Sequence, residues 1–188
     1  MIIFFEGLSG AGKTTLIKEF KADNVIKIPE FINEPDELFD DYACMKNDIA
    51  KSELAKKNRS EIVLVDRGYL STLVYGLVRY KVTNGQERFD HIVDWLLKNL
   101  NSKLIRPDIY IWVDASNRVC LNRADSNKRI LPQNFWYRDL DEARLCYRRL
   151  FNIIENDVPV YNFDGEDNLI ININKLQKII NENLINKC

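Results

Sequence analysis

The sequence predicts a doubly wound α/β fold, a parallel sheet with helices on both faces. Two observations carry that prediction. Short runs of consecutive apolar residues, the pattern of interior parallel strands, recur along the chain. Segments with helical spacing of their apolar residues separate them, so strand and helix alternate. At 188 residues the chain is most simply one domain with a sizeable core.

The first strand is Ile2–Glu6, apolar up to its last residue, and Lys13–Lys21 follows as a helix. Val25–Ile28 makes a short second strand. Pro29 and Pro35 punctuate a loop carrying Glu30 and Glu34, and a helix runs from Asp36 to Lys57. Ile62–Val65 is the clearest strand, continuously apolar and closed by Asp66. Tyr69–Tyr80 and Glu87–Leu100 have helical periodicity. Pro107 introduces the strand DIYIWVD, and Ser116 is placed to cap a helix ending near Arg123 or Ala124. DSNKRILPQN is polar, basic and broken by proline, so it reads as a loop or a short helical excursion. Phe135–Asn156 returns to helix, with Leu140, Tyr147, Leu150, Phe151 and Ile154 on its apolar face. VPVYNFD is the last strand. The C-terminal segment reads as helix, although the Ile/Asn alternation of NLIININKL also fits a strand.

The formal charge of −1 argues against a general nucleic-acid surface. No apolar run has membrane-spanning length, and Ile2–Phe5 is too short for a signal peptide and lacks a basic lead. The expectation is a cytoplasmic protein that engages neither nucleic acid nor membrane. Four cysteines (Cys44, Cys120, Cys146 and Cys188) lie far apart with no C-x-x-C pair, which argues against zinc. His91 is the one histidine and sits in a helical pattern as an ordinary helix residue.

Chemistry concentrates at the strand ends. Glu6, Glu30, Asp66 and Asp114 lie at or just past the carboxyl ends of predicted strands, where ligands collect in such sheets. The stretch Gly7-Leu8-Ser9-Gly10-Ala11-Gly12-Lys13-Thr14 fits G-x-x-x-x-G-K-T. Its glycines let the backbone wrap with N–H groups pointing at phosphate oxygens, and the helix beginning near Lys13 adds its positive end. Lys13 can reach the β- and γ-phosphates of a nucleotide, and Thr14 offers a hydroxyl to Mg²⁺. Thr15 completes the loop.

What the phosphates are used for follows from Asp66 and Arg67. A switch GTPase carries D-x-x-G and N-K-x-D. DRGY places its glycine one position early, and NKRI and NKLQ lack the aspartate. A motor-type ATPase follows its Walker B aspartate with a glutamate that activates water. Here Asp66 is followed by Arg67, which holds an anion instead of taking a proton. The pair therefore indicates phosphoryl transfer to an acceptor, with Asp66 organising Mg²⁺ or its waters and Arg67 clamping phosphate or reacting oxygens.

At these residues the chain resembles the thymidylate kinases within the nucleotide and deoxynucleoside kinase group. FFEGLSGAGKTT is similar to F-E-G-x-D-G-x-G-K-T-T. NEPDE (Asn33–Glu37) resembles R-E-P-G-G. DRGYLSTLVY (Asp66–Tyr75) is similar to D-R-Y-x-x-S-x-x-A-Y. RPDIYIWVD followed by Arg123 resembles P-D-x-x-x-x-L-D and the arginine opening the lid, and RDLDEARLCYRRLF falls where the post-lid helix lies. The match is collinear over nearly the whole chain.

The resemblance implies a P-loop kinase three-layer sandwich, a five-stranded parallel sheet flanked by helices, with residues 1–188 as one kinase domain and a short lid over about 124–134. It implies ATP and Mg²⁺ as cofactors, a nucleotide or nucleoside acceptor and a homodimer. It places Arg67 on the acceptor phosphate, Ser71 and Tyr75 beside the acceptor, and Glu34 beside its sugar or the metal. From the lid, Arg123, Lys128 or Arg129 would meet the transferring phosphoryl group. The departures are Ser9 for an acidic residue, Asn33 for arginine, Gly68 for the tyrosine of D-R-Y and Gly76 for glutamine. Most fall on the acceptor side.

Three functional readings follow. The first is a (deoxy)nucleoside monophosphate kinase, converting for example dTMP and ATP to dTDP and ADP. The second is a deoxynucleoside kinase, with Glu30 taking the proton of a 5′-hydroxyl. The third is a nucleotide-binding regulatory module without an acceptor. Phe39, Tyr42, Tyr69 or Tyr80 could stack on a base and Asn47 could bond its edge, so base identity stays open.

Overall fold

A computed structural model describes residues 1–32, 41–83, 85–126 and 139–185. Glu34, Phe39, Lys128, Arg129 and most of the expected lid lie outside them. The chain runs β1 (Ile2–Glu6), α1 (Lys13–Glu19), β2 (Val25–Ile28), α2 (Asp41–Lys57), β3 (Ile62–Asp66), α3 (Tyr69–Thr83), α4 (Gln86–Asn99), β4 (Ile109–Asp114), α5 (Asn117–Ser126), α6 (Leu140–Ile154), β5 (Val160–Asp164) and α7 (Leu169–Ile185). The five strands form one all-parallel sheet in the order β2-β3-β1-β4-β5. Helices flank it in an α/β three-layer architecture. α1 packs on α7, while α3 packs on α2, α4 and α6.

The strand assignments follow from burial. All five residues of β1 are buried, because β1 is central and both its faces are covered. Its pairing Phe5↔Asp66 and Glu6↔Trp112 brings the carboxyl ends of β3 and β4 level with the start of the glycine-rich turn. Phe4 meets Tyr69 and Tyr110 edge-on at 6.0 Å, and Phe151 of α6 packs on Tyr110, Trp112 and Tyr147. These rings form one continuous core under α3 and α6.

Helix ends depart from expectation for local reasons. α1 stops at Glu19, before Lys21, because Phe20 turns extended and enters the core. α3 continues past Tyr80 to Thr83, since no breaker precedes Gly85. α5 runs to Ser126, beyond the expected end near Arg123, with no glycine or proline to stop it. Ser116 does cap it: its Oγ accepts from the Val119 N–H at 3.4 Å. The described part of the expected Phe135–Asn156 helix is α6. The NLIININKL ambiguity resolves as helix: Asn168 Oδ1 accepts from the Ile170 N–H at 2.9 Å, and Asn172, Leu176, Ile179 and Ile180 form a buried stripe at helical spacing.

Cys120 and Cys146 are buried free thiols, Cys44 is half-buried, and His91 is exposed on α4. Among the described residues, no helix is long and apolar enough to cross a membrane.

The turn after β5 touches the glycine-rich loop with no room to spare. A Cβ on Gly165 would lie 2.1 Å from the Ala11 carbonyl oxygen and 3.0 Å from that of Asp114. Both obstacles are backbone, so Gly165→Ala must displace the loop. We expect it to lower unfolding stability by about 1–3 kcal/mol, read as a reduced urea midpoint at unchanged m-value. An unchanged midpoint would show that this contact does not constrain the loop.

Candidate active site

The site is built at the carboxyl edge of the sheet, where β1, β2 and β3 end side by side. Gly7 opens the loop with φ 134, a conformation that side chains disfavour. A Cβ there would also strike the Val113 carbonyl oxygen at 2.1 Å. Gly10, Ala11, Gly12, Lys13, Thr14 and Thr15 line one cavity together with Glu30, Arg67 and Arg123. Leu8 is instead core, and Ser9 sits half-buried in the turn.

Lys13 is buried and folds back on the loop, its Nζ donating to the carbonyls of Gly7 at 3.0 Å and Leu8 at 2.7 Å. Burial and the neighbouring Arg67 lower its pKa to about 7. Thr14 Oγ1 donates to Asp66 Oδ2 at 2.6 Å, while the buried Asp66 Oδ1 has no hydrogen-bond partner. A hydroxyl beside a carboxylate with an uncommitted oxygen is a hard-oxygen donor set, which fits Mg²⁺.

Arg67 is the hinge of the arrangement. Its backbone is left-handed, φ 64, which is uncommon for any residue but glycine. Its Nη1 donates to the Gly7 carbonyl at 2.8 Å and to Ser71 Oγ at 3.2 Å, and its Nε lies 2.7 Å from Glu30 Oε1. Its guanidinium lies over the Tyr75 ring, 5.2 Å from the centroid.

Behind Arg67, Glu6 is fully buried. It accepts from the Gly68 N–H at 2.9 Å and from the Ser71 hydroxyl, which also meets the Tyr147 hydroxyl at 2.8 Å. Burial raises the Glu6 pKa to about 7.

A second cavity lies between α2 and α3. Glu30 and Arg67 line both cavities and so mark their junction. Glu30 keeps 29% of its side-chain surface exposed, enough to be reached from either side. Ser71 and Tyr75 line the second cavity. So do Phe31, Asp48, Lys51, Thr72 and the ion pair Arg79–Asp41, 2.9 Å apart. Asp48 Oδ2 accepts from Thr72 at 2.6 Å, and burial raises its pKa to about 6.

Several sequence candidates lie elsewhere. The Asn47 amide is taken up by the loop, donating to the Glu30 carbonyl at 2.8 Å and accepting from the Ile32 N–H at 3.0 Å. Tyr42 is exposed, Tyr69 is buried against Tyr110, and Tyr80 stacks on Phe89. Among the described residues, the aromatic residues that line the cleft are Phe31 and Tyr75. Phe31 follows Glu30 directly, the one sequence signal that could have found it. Arg123 donates to the carbonyls of Gly10 at 3.2 Å, Ala11 at 3.4 Å and Gly165 at 2.9 Å, which ties the loop to the β5–α7 turn.

Two departures from the resembled pattern lie at close approaches. A Cβ on Gly68 would lie 2.6 Å from the Phe4 ring, and one on Gly76 would lie 2.4 Å from Ile92 Cδ1. The buried Phe4 ring leaves no space for a side chain at Gly68, whereas at Gly76 the obstacle is the tip of the Ile92 side chain, which can turn away.

No family model matches the chain. A probable thymidylate kinase of Thermoplasma volcanium is 27% identical over 195 residues, covering 97% of this chain and 94% of that protein. Among solved structures, deoxyadenosine kinase from M. mycoides with bound dATP superposes with a TM-score of 0.78 at 19% identity, over 96% of this chain and 100% of that one. The same enzyme with dCMP and a flexible dCDP gives 0.73 at 21% identity, over 97% and 100%. Thymidylate kinase from Candida albicans gives 0.70 at 17% identity, over 97% and 91%. Strand order, glycine-rich loop and these likenesses converge: the chain has the thymidylate kinase-like fold shared with the deoxynucleoside kinases.

Proposed function

We propose that this chain is an ATP-dependent kinase that passes a phosphoryl group to a nucleoside or nucleoside monophosphate, and that its acceptor is the 5′-hydroxyl of a deoxynucleoside. The observation that carries the second clause is the Glu30–Arg67 pair at the junction of the two cavities. A hydroxyl acceptor needs a base within reach, and Glu30 is a carboxylate at that place. The charge balance agrees. Among the described residues the acceptor cavity is lined by three cations, Lys51, Arg67 and Arg79, and three carboxylates, Glu30, Asp41 and Asp48. Such a lining suits a neutral acceptor better than a phosphate dianion.

In this reading the loop Gly7–Thr15 cradles the donor phosphates. Lys13 exchanges the Gly7 and Leu8 carbonyls for phosphate oxygens. Thr14 and Asp66 would hold Mg²⁺, which supplies charge neutralisation on the donor. Glu30 takes the hydroxyl proton. Arg67 keeps Glu30 oriented and lies against the developing charge, while Ser71 and Tyr75 shape the acceptor wall. Arg123 holds the loop, and Arg129 and Glu34 are proposed to join from the lid and the acceptor loop.

A second reading, a thymidylate kinase-like monophosphate kinase, is favoured by the near full-length match to the Thermoplasma protein. Arg67 would then leave Glu30 for the acceptor phosphate.

An ADP-release assay with ATP and Mg²⁺, over the common nucleosides and monophosphates in ribo and deoxy forms, separates the readings. Deoxynucleosides should be turned over, and Glu30→Gln should lower kcat about 10²–10⁴-fold. Turnover of monophosphates alone, with Glu30→Gln within a few-fold of wild type, would establish the second reading. Turnover of nothing would leave a binding module.

Lys13 yields a further test. Most of it is neutral at pH 8 in the free protein, and a bound polyphosphate raises its pKa again. Binding of ATP with Mg²⁺ at pH 8 should therefore take up about one proton, and near pH 5.5 the Lys13 contribution should vanish. Calorimetry in buffers of different ionisation enthalpy measures this. Lys13→Met should lose the uptake and lower transfer about 10²–10³-fold. Equal uptake in the variant would remove Lys13 from the phosphates.

A further inference from the structure

The last rung of the β2–β3 ladder is Ile28↔Val65. Glu30 and Asp66 lie beyond it, and among the described residues no backbone hydrogen bond joins the two strands there. One side chain does. Lys51 of α2 is 2% exposed, and its Nζ donates to the Glu30 carbonyl at 3.0 Å and to the Asp66 carbonyl at 2.6 Å. Burying an ammonium is costly, and here its hydrogen bonds go to backbone oxygens. The Asp66 carbonyl belongs to the peptide that leads into left-handed Arg67, so the bond sets the orientation of that strained unit. The Glu30 carbonyl belongs to the ion-pair partner of Arg67. Asn47, one turn earlier on α2, grips the same carbonyl and the Ile32 N–H.

We propose that Lys51 is a positioning residue. It extends the β2–β3 pairing past its last rung and holds Glu30 and Arg67 at the separation at which they face each other across the junction. The inference deepens the kinase reading and rests on it for its effect on turnover, but its structural part does not.

The first test therefore needs no acceptor. In Lys51→Met, backbone hydrogen exchange at Arg67, Gly68 and Ile32 should accelerate about ten-fold or more, while Phe4, Leu64 and Ile111 keep wild-type rates. Unchanged rates at Arg67 and Gly68, or equal acceleration throughout the sheet, would overturn the proposal. Lys51→Gln, neutral but still a donor, serves the same comparison if the methionine variant does not fold.

The second test is turnover on whichever acceptors of the panel release ADP. Lys51→Met should lower kcat about ten-fold with the KM for ATP unchanged, and Lys51→Arg should recover most of it. Combined with Arg67→Lys, it should add no further loss, because both changes act on one unit. Additive losses would mean that Lys51 acts elsewhere. A failed acceptor panel would sink the kinase reading and leave the exchange result to decide Lys51.

Discussion

The geometry at the sheet edge depends on one buried guanidinium. Arg67 has a backbone conformation unfavourable by roughly 1–3 kcal/mol, and it persists because its surroundings over-determine it. Its N–H is bonded to the Phe5 carbonyl at 2.9 Å. Its side chain joins the end of β1 through Gly7, the segment after β2 through Glu30, and α3 through Ser71 and Tyr75. A planar fork of donors can meet partners in three directions at once, which an ammonium cannot do with fixed geometry. The β-strand ends therefore converge on a side chain as well as on the ladder.

Around it the buried charges are held close to balance. Buried Lys13, Lys51 and Arg67 stand among buried Glu6, Asp48 and Asp66, with the part-exposed Glu30 beside Arg67. Burial pushes the acids Glu6 and Asp48 up and the bases Lys13 and Lys51 down, so several of these groups lie near the middle of the pH scale. Such a cluster is expensive as a core and useful as a site. Lys13 illustrates the difference. It bonds its own loop's carbonyls, and in the proposed reading it exchanges them for phosphate oxygens.

Much of this was legible in the chain. Continuous apolar runs located β1, β3 and β4, because a strand covered on both faces has no polar side to present, while the edge strands β2 and β5 are interrupted by exposed Lys27 and Asn162. The glycine-rich loop was legible because its turns at Gly7, Gly10 and Gly12 have the positive φ that glycine tolerates, and because a helix starts at Lys13. Helix ends were less so, since they depend on where a residue such as Phe20 finds its pocket. The acceptor side was the least legible. Asn47 looked free to read a base and is consumed by its neighbouring loop. Tyr69 and Tyr80 looked able to stack on a base; Tyr69 is core and Tyr80 stacks on Phe89. Phe31, Lys51 and Asp48 carried no motif, because their importance comes from which strand end they meet.

The sequence by itself determined the alternation of strand and helix, the glycine-rich loop and the Asp66–Arg67 step, since each is a local pattern with a local physical cause. Tertiary structure alone decided that Glu30 pairs with Arg67, that Lys51 bridges two strand ends, and that Gly68 stands where the Phe4 ring leaves no space. Those are contacts between segments distant in the chain. Their distances follow from how the sheet and helices pack, and no local pattern encodes them.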